Sequence, residues 1–106
     1  MCKKELFEKI LEIVSELTEI PKEEILSRSR RSDVTDARYL VIYTLYMQGV
    51  KIYKIAELTG IPDRSIYYAI NSFSLRSDRD GTILNLWIKE VKERLQKLCR
   101  NSANLL

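Results

Sequence analysis

Ile52-Tyr53-Lys54-Ile55-Ala56-Glu57-Leu58-Thr59-Gly60-Ile61-Pro62-Asp63-Arg64-Ser65-Ile66-Tyr67-Tyr68-Ala69-Ile70 reads as helix, tight turn, helix. Ile55, Ala56 and Leu58 give the first helix, Ile52 to Thr59, something to pack. Ala56 is small where the second helix must come close, and Gly60 supplies the left-handed backbone that a sharp turn requires. Ile66 then serves as a β-branched plug between the two. This is the spacing of a helix-turn-helix.

Helical geometry divides the second helix, Asp63 to about Leu75, into two faces. Ile66, Ala69, Ile70 and Phe73 point inward. Arg64, Tyr68, Asn71 and Leu75 share the opposite face, with Ser65 and Tyr67 on its flanks. Those residue types suit base edges in a major groove. Arg bonds guanine with both fork nitrogens and Asn does the same to adenine, while Tyr reaches phosphates or packs on thymine methyls. Lys54, on the first helix, and Arg38, upstream of it, are counted with the candidate DNA-binding cations. A bare αα-corner would also need its glycine turn, so the residues alone leave a purely structural reading open.

Helices continue on both sides. Leu6, Phe7, Ile10, Leu11, Val14 and Leu17 form an apolar stripe from Lys4 to Leu17. Ile20-Pro21 interrupts it, and a short helix carries Glu23, Glu24, Ile25 and Leu26. Ser27-Arg28-Ser29-Arg30-Arg31-Ser32 has no apolar residue and is expected to be an exposed loop. Asp33 is expected to cap the next helix, Val34 to Gln48, which is apolar nearly all round and so the most buried; Gly49 ends it. After the helix-turn-helix, Ser77-Asp78-Arg79-Asp80-Gly81 reads as a loop. Thr82 caps a last helix striped by Leu84, Trp87, Ile88, Val91, Leu95 and Leu98. The expectation is an all-α compact bundle of about six helices, one domain over residues 1–106.

Composition excludes more than it selects. With no His among 106 residues, imidazole metal sites and His acid–base catalysis are absent. Gly49, Gly60 and Gly81 stand too far apart for a phosphate-cradling loop. Carboxylates do not cluster in apolar surroundings, so no enzyme is expected, nor any cofactor, metal or nucleotide. Cys2 and Cys99 are most simply free thiols in a reducing cytoplasm, with a bridge between the terminal helices as the alternative. Tyr39 to Met47 is about half a membrane span, and no signal-peptide pattern opens the chain. A soluble, cytoplasmic protein is expected.

The net charge of +3 is unevenly spread. Residues 1–27 carry four Lys and seven Glu, whereas residues 28–79 carry nine basic and five acidic side chains. A basic middle suits a polyanion. Arg28, Arg30 and Arg31 form the densest basic cluster, a candidate phosphate or minor-groove contact or simply a solvated loop.

In its order of elements the chain resembles the C-terminal DNA-binding domain of DnaA, the bacterial replication initiator. The likeness spans nearly the whole chain. It is most specific in Leu26-Ser27-Arg28-Ser29-Arg30 leading into Arg38, then Ile55-Ala56-Glu57-Leu58 and the turn. It implies double-stranded DNA as partner and recognition of short boxes at replication origins. Arg30 matches the family's minor-groove arginine; Asp63, Arg64 and Ser65 match its acidic, His and hydroxyl residues at the start of the recognition helix. Two departures stand out: Arg64 replaces His, and the turn is one residue shorter. One residue rotates a helix by about 100°, which bears on the usual box more than on DNA binding. The family's ATPase domain and phosphate loop are also missing, leaving open whether this is a stand-alone protein or one domain of a longer chain.

The expected function is therefore sequence-specific DNA binding, as an origin-box reader or as a regulator from a phage or mobile element. A helical protein-interaction module with Tyr67, Tyr68 and Leu75 as anchors is the alternative. The oligomeric expectation is a monomer or weak dimer, with the last helix and the tail at 103–106 as the dimer surface if there is one.

Overall fold

A computed structural model describes residues 3–27, 29–80 and 82–104, the side chains of 76–80, 82–84 and 98–104 excepted. Six helices follow one another: α1 (Lys3–Thr18), α2 (Lys22–Ile25), α3 (Ser32–Met47), α4 (Ile52–Thr59), α5 (Asp63–Asp80) and α6 (Thr82–Asn104). Among the described residues there is no strand. The all-α bundle expected from periodicity is the fold observed.

Helix α3 is the hub. Val34, Ala37, Leu40, Val41, Ile42 and Leu45 are buried, and α3 touches each of the other five helices. A helix that is apolar nearly all round has no solvent face to keep, and the centre of a bundle is where it loses least. The amphipathic helices pack around it. α1 brings Phe7, Ile10, Leu11, Ile13 and Val14; α5 brings Ile66, Ala69, Ile70 and Phe73; α6 brings Val91 and Leu95. One contiguous core cluster draws on all six helices. Tyr43 and Phe73 lie ring against ring, centroids 5.1 Å apart, at the α3–α5 seam.

Two glycines stop helices by different geometries. After α3, Gly49 takes φ 89°. Its N–H donates to the Tyr46 carbonyl (3.0 Å), and the Val50 N–H donates to the Leu45 carbonyl (3.1 Å). This paired closure satisfies two carbonyls that the helix end would leave open, and it drives Val50 into the core. After α4, Gly60 takes φ 75° and makes a single bond, N–H to the Ala56 carbonyl at 2.8 Å. The chain then turns through Ile61 and Pro62, whose carbonyl accepts the Ile66 N–H at 3.1 Å and opens α5. α1 ends with no glycine at all. Glu19 occupies φ 60°, while the Ser15 hydroxyl donates to the Ile20 carbonyl at 2.7 Å and Ile20 is buried.

Three boundaries differ from expectation. α5 runs on through Asp80, so Ser77 to Asp80 is helix rather than loop, and only Gly81 lies outside the described residues. A polar run reports exposure, not coil; extending an existing helix by such residues costs at most about 0.7 kcal/mol each in propensity, with no new nucleus to form. α6 likewise continues past Leu98 to Asn104. α3 starts at Ser32, with Arg31 at the cap position and no side-chain cap bond. Asp33 is already in the first turn, accepting the Val34 N–H at 2.9 Å and an ion pair from Arg31. The side chains of Leu84 and Leu98, and the tail at 105–106, fall outside the description, as do both thiols, so the question of a bridge lies there too.

Candidate nucleic-acid interface

The residues of the basic loop are held by their own hydroxyls. The Ser27 hydroxyl donates to the Glu24 carbonyl at 2.6 Å and accepts the Ser29 N–H at 3.3 Å; the Ser29 hydroxyl accepts the Arg31 N–H at 3.3 Å. Short polar side chains bonding backbone two or three residues away are what order a segment with no apolar residue to bury. Arg38 reaches across from α3. Its Nε donates to the Ile25 carbonyl (3.0 Å), and its Nη2 donates to the carbonyls of Ser27 and Ser29, the latter at 2.9 Å.

The loop closes one side of an open groove of about 840 Å³. Arg30 and Ser29 form that wall. Thr35, Arg38, Tyr39 and Ile42 of α3 form the floor, and the α4–α5 turn with Arg64, Ser65 and Tyr68 forms the far wall. Thus two segments more than thirty residues apart in sequence, each singled out by composition or spacing, line one surface. Nothing in the local sequence dictates that meeting. It follows from α2 and the α4–α5 unit both packing on α3.

The candidate cations differ in what they already touch. Arg31 is exposed but engaged: Nη1 lies 3.2 Å from Glu24 Oε1 and Nη2 2.9 Å from Asp33 Oδ2. The loop is therefore less short of carboxylates than its sequence suggests, because Glu24 comes from α2. Lys54 sits 3.4 Å from Glu57 and away from the groove lining. Arg38, counted by sequence with the DNA-binding cations, gives its Nε to the carbonyl of Ile25 at the end of α2 and its Nη2 to two loop carbonyls. Arg30 and Arg64 are exposed, and neither has an ion-pair partner among the described residues. Arg28 lies outside the described residues.

On α5, Arg64, Ser65, Tyr68, Asn71 and Leu75 are exposed, as the helical projection requires; Tyr67 is exposed on the flank and Asp63 at the first turn. Arg64, Ser65 and Tyr68 face the groove, whereas Asp63, Tyr67 and Asn71 do not line it. Sequence reasoning missed Tyr39, taken as core because it lies inside the apolar run of α3. Its ring meets Tyr68 edge-on at 6.5 Å. The signal was its phenol, since a Tyr in a buried helix usually needs a wet or bonded end.

Among the described residues no cluster of three His, Cys, Asp or Glu could hold a metal ion, and no helix is long and apolar enough to cross a membrane. Comparison with protein-family models, characterised proteins and solved structures gave no match. The functional reading accordingly rests on the groove.

Proposed function

We propose that the chain is a double-stranded DNA-binding module rather than an enzyme, with α5 in the major groove and the basic loop at the adjoining phosphates and minor groove. The observation that carries this is that Arg30 and Arg64, far apart in sequence, line one groove, both exposed and without carboxylate partners among the described residues. The exposed face of α5 adds to it. Arg64, Tyr68, Asn71 and Leu75 span eleven residue steps, about 16 Å at 1.5 Å per residue, and a helix about 10–12 Å across fits a major groove about 12 Å wide. In this reading Arg64 and Asn71 read bases, Tyr68 packs on the groove wall, and Arg30 supplies the minor-groove contact. The likeness to the DnaA DNA-binding domain makes an origin-type box the first site to try, and a phage or mobile-element regulator is the companion role.

The test is titration of a fluorescent duplex carrying such a box, beside a scrambled duplex, at several salt concentrations. Four or five phosphate contacts give a log–log slope of about −4. Preference for the box supports an initiator-like reader. Equal binding to both keeps the DNA reading and sends the search for a site to random-sequence selection. Absence of binding to either duplex at low salt overturns it.

One observation favours a second reading. Tyr67, Tyr68 and Leu75 are 58%, 66% and 60% exposed on a single helix, and exposed aromatics are frequent anchors of protein interfaces. A protein partner held there would bind with little dependence on salt and no competition from duplex DNA.

A further inference from the structure

We infer that Arg38 is a positioning residue: it fixes the basic loop in advance so that Arg30 stands at the groove rim, and it does not itself contact the nucleic acid. This inference rests on the groove being the DNA interface.

The side chain starts from α3, the hub of the core, and ends on the stretch leading from Ile25 into a loop, residues 27–32, with no apolar residue. Its planar fork meets carbonyls of three alternate residues, Ile25, Ser27 and Ser29, covering the path from the end of α2 into the loop. The first of these is the last residue of α2, whose Lys22 and Glu24 carbonyls already accept the Leu26 and Ser27 N–H groups, and Arg38 serves the Ile25 carbonyl. A guanidinium can serve several acceptors in one plane, whereas a lysine ammonium is a point donor on a flexible stem. Arg38 is half-buried beneath the loop, and Arg30 is exposed above it.

The consequence for Arg30 is geometric. The Ser29 carbonyl lies in the same planar peptide unit as the Arg30 Cα, so anchoring that oxygen at 2.9 Å fixes where the Arg30 side chain begins. On the other side, the Arg31 N–H is held by the Ser29 hydroxyl, and its guanidinium by Glu24 and Asp33. Arg30 is thus an exposed side chain between two anchored peptides. A loop ordered before binding loses less entropy on binding, which is how a residue that never meets the ligand raises affinity.

The experiment has two parts. On free protein, trypsin cleavage after Arg30 and Arg31 is slow in the native chain and accelerates about tenfold or more in Arg38→Ala and in Arg38→Lys, because both lose the fork that closes the loop. Melting curves for both variants verify that the bundle is folded. On duplex DNA, both variants bind about tenfold more weakly with an unchanged salt slope, whereas Arg30→Ala flattens the slope by about 0.9. The Arg30→Ala, Arg38→Ala double variant then binds no more weakly than Arg30→Ala. Native cleavage rates in Arg38→Lys, a flattened slope in Arg38→Ala, or multiplying losses in the double variant would each overturn the inference. If the native chain binds no duplex, the DNA reading fails alone and the cleavage rates still decide whether Arg38 closes the loop.

Discussion

The ring of Tyr39 on α3 meets the ring of Tyr68 on α5 edge-on, centroids 6.5 Å apart and planes at 75°. One of these tyrosines is half-buried and the other 66% exposed, so the contact joins the packed interior to the groove surface. It sets the direction in which Tyr68 leaves the helix, one turn beyond Arg64. Tyr39→Leu keeps an apolar filler but removes the edge contact, worth about 0.5–1.5 kcal/mol. The expected outcome is a small loss in urea midpoint together with weaker duplex binding. Tyr39→Leu with native DNA affinity would show that Tyr68 needs no such support.

Arg64→Ala should cost about 1–3 kcal/mol of binding and relax preference at one base-pair position. Arg31→Ala should cost less, because Glu24 and Asp33 already neutralise that cation. Anisotropy titrations on a set of single-position duplex variants compare the two. Equal losses for both arginines would contradict the distinction drawn between them.

Glu19 lies at φ 60°, where a side chain costs about 1–2 kcal/mol. Glycine removes that strain but adds about 0.5–1 kcal/mol of unfolded-state entropy. Glu19→Gly should therefore stabilise the fold by about 0.5–1 kcal/mol. The expected readout is a higher urea midpoint with the slope of the transition unchanged.

Gly60 presents the opposite case. At φ 75°, a Cβ there would meet nothing within 4 Å, so Gly60→Ala is opposed by backbone strain alone. Set against the unfolded-state entropy that Ala removes, a net loss of about 0.5–1 kcal/mol is expected, and Gly60→Asn should lose less because Asn tolerates the left-handed region. Urea unfolding of the pair tests this, with equal losses counting against backbone strain as the cause.

Phe73 is fully buried and packs on Tyr43; Leu75, two residues on, is 60% exposed. Phe73→Ala should cost about 3–5 kcal/mol, and Leu75→Asn should stay within about 0.5 kcal/mol. Thermal melts of these neighbours test the face assignment of α5 independently of any ligand.

The elements that were legible in the sequence are those specified locally. The inward face of α5 could be read from Ile66, Ala69, Ile70 and Phe73 because helical spacing alone puts them together, and all four are buried. Gly49 and Gly60 marked helix ends because only their backbone freedom suits those turns. Less legible was whatever depended on a neighbour from another helix. Arg31 and Arg30 are adjacent and chemically identical, yet Glu24 engages one and not the other. Arg38 looked like one more cation, since no spacing rule tells which way a guanidinium turns. Asp78 and Asp80 looked like loop because polar residues mark solvent as readily on a helix as off one.

The groove has no owner in the chain. Its walls are contributed by a loop before α3 and a turn after α4, and its floor is α3 itself. A transplanted α4–α5 unit would keep Arg64 and lose Arg30, carrying away half of a surface whose other half stayed behind. Chimaeras that exchange only this unit between scaffolds should inherit its helical face without its footprint. The surface travels intact only when the chain from α2 to α5 travels as a block.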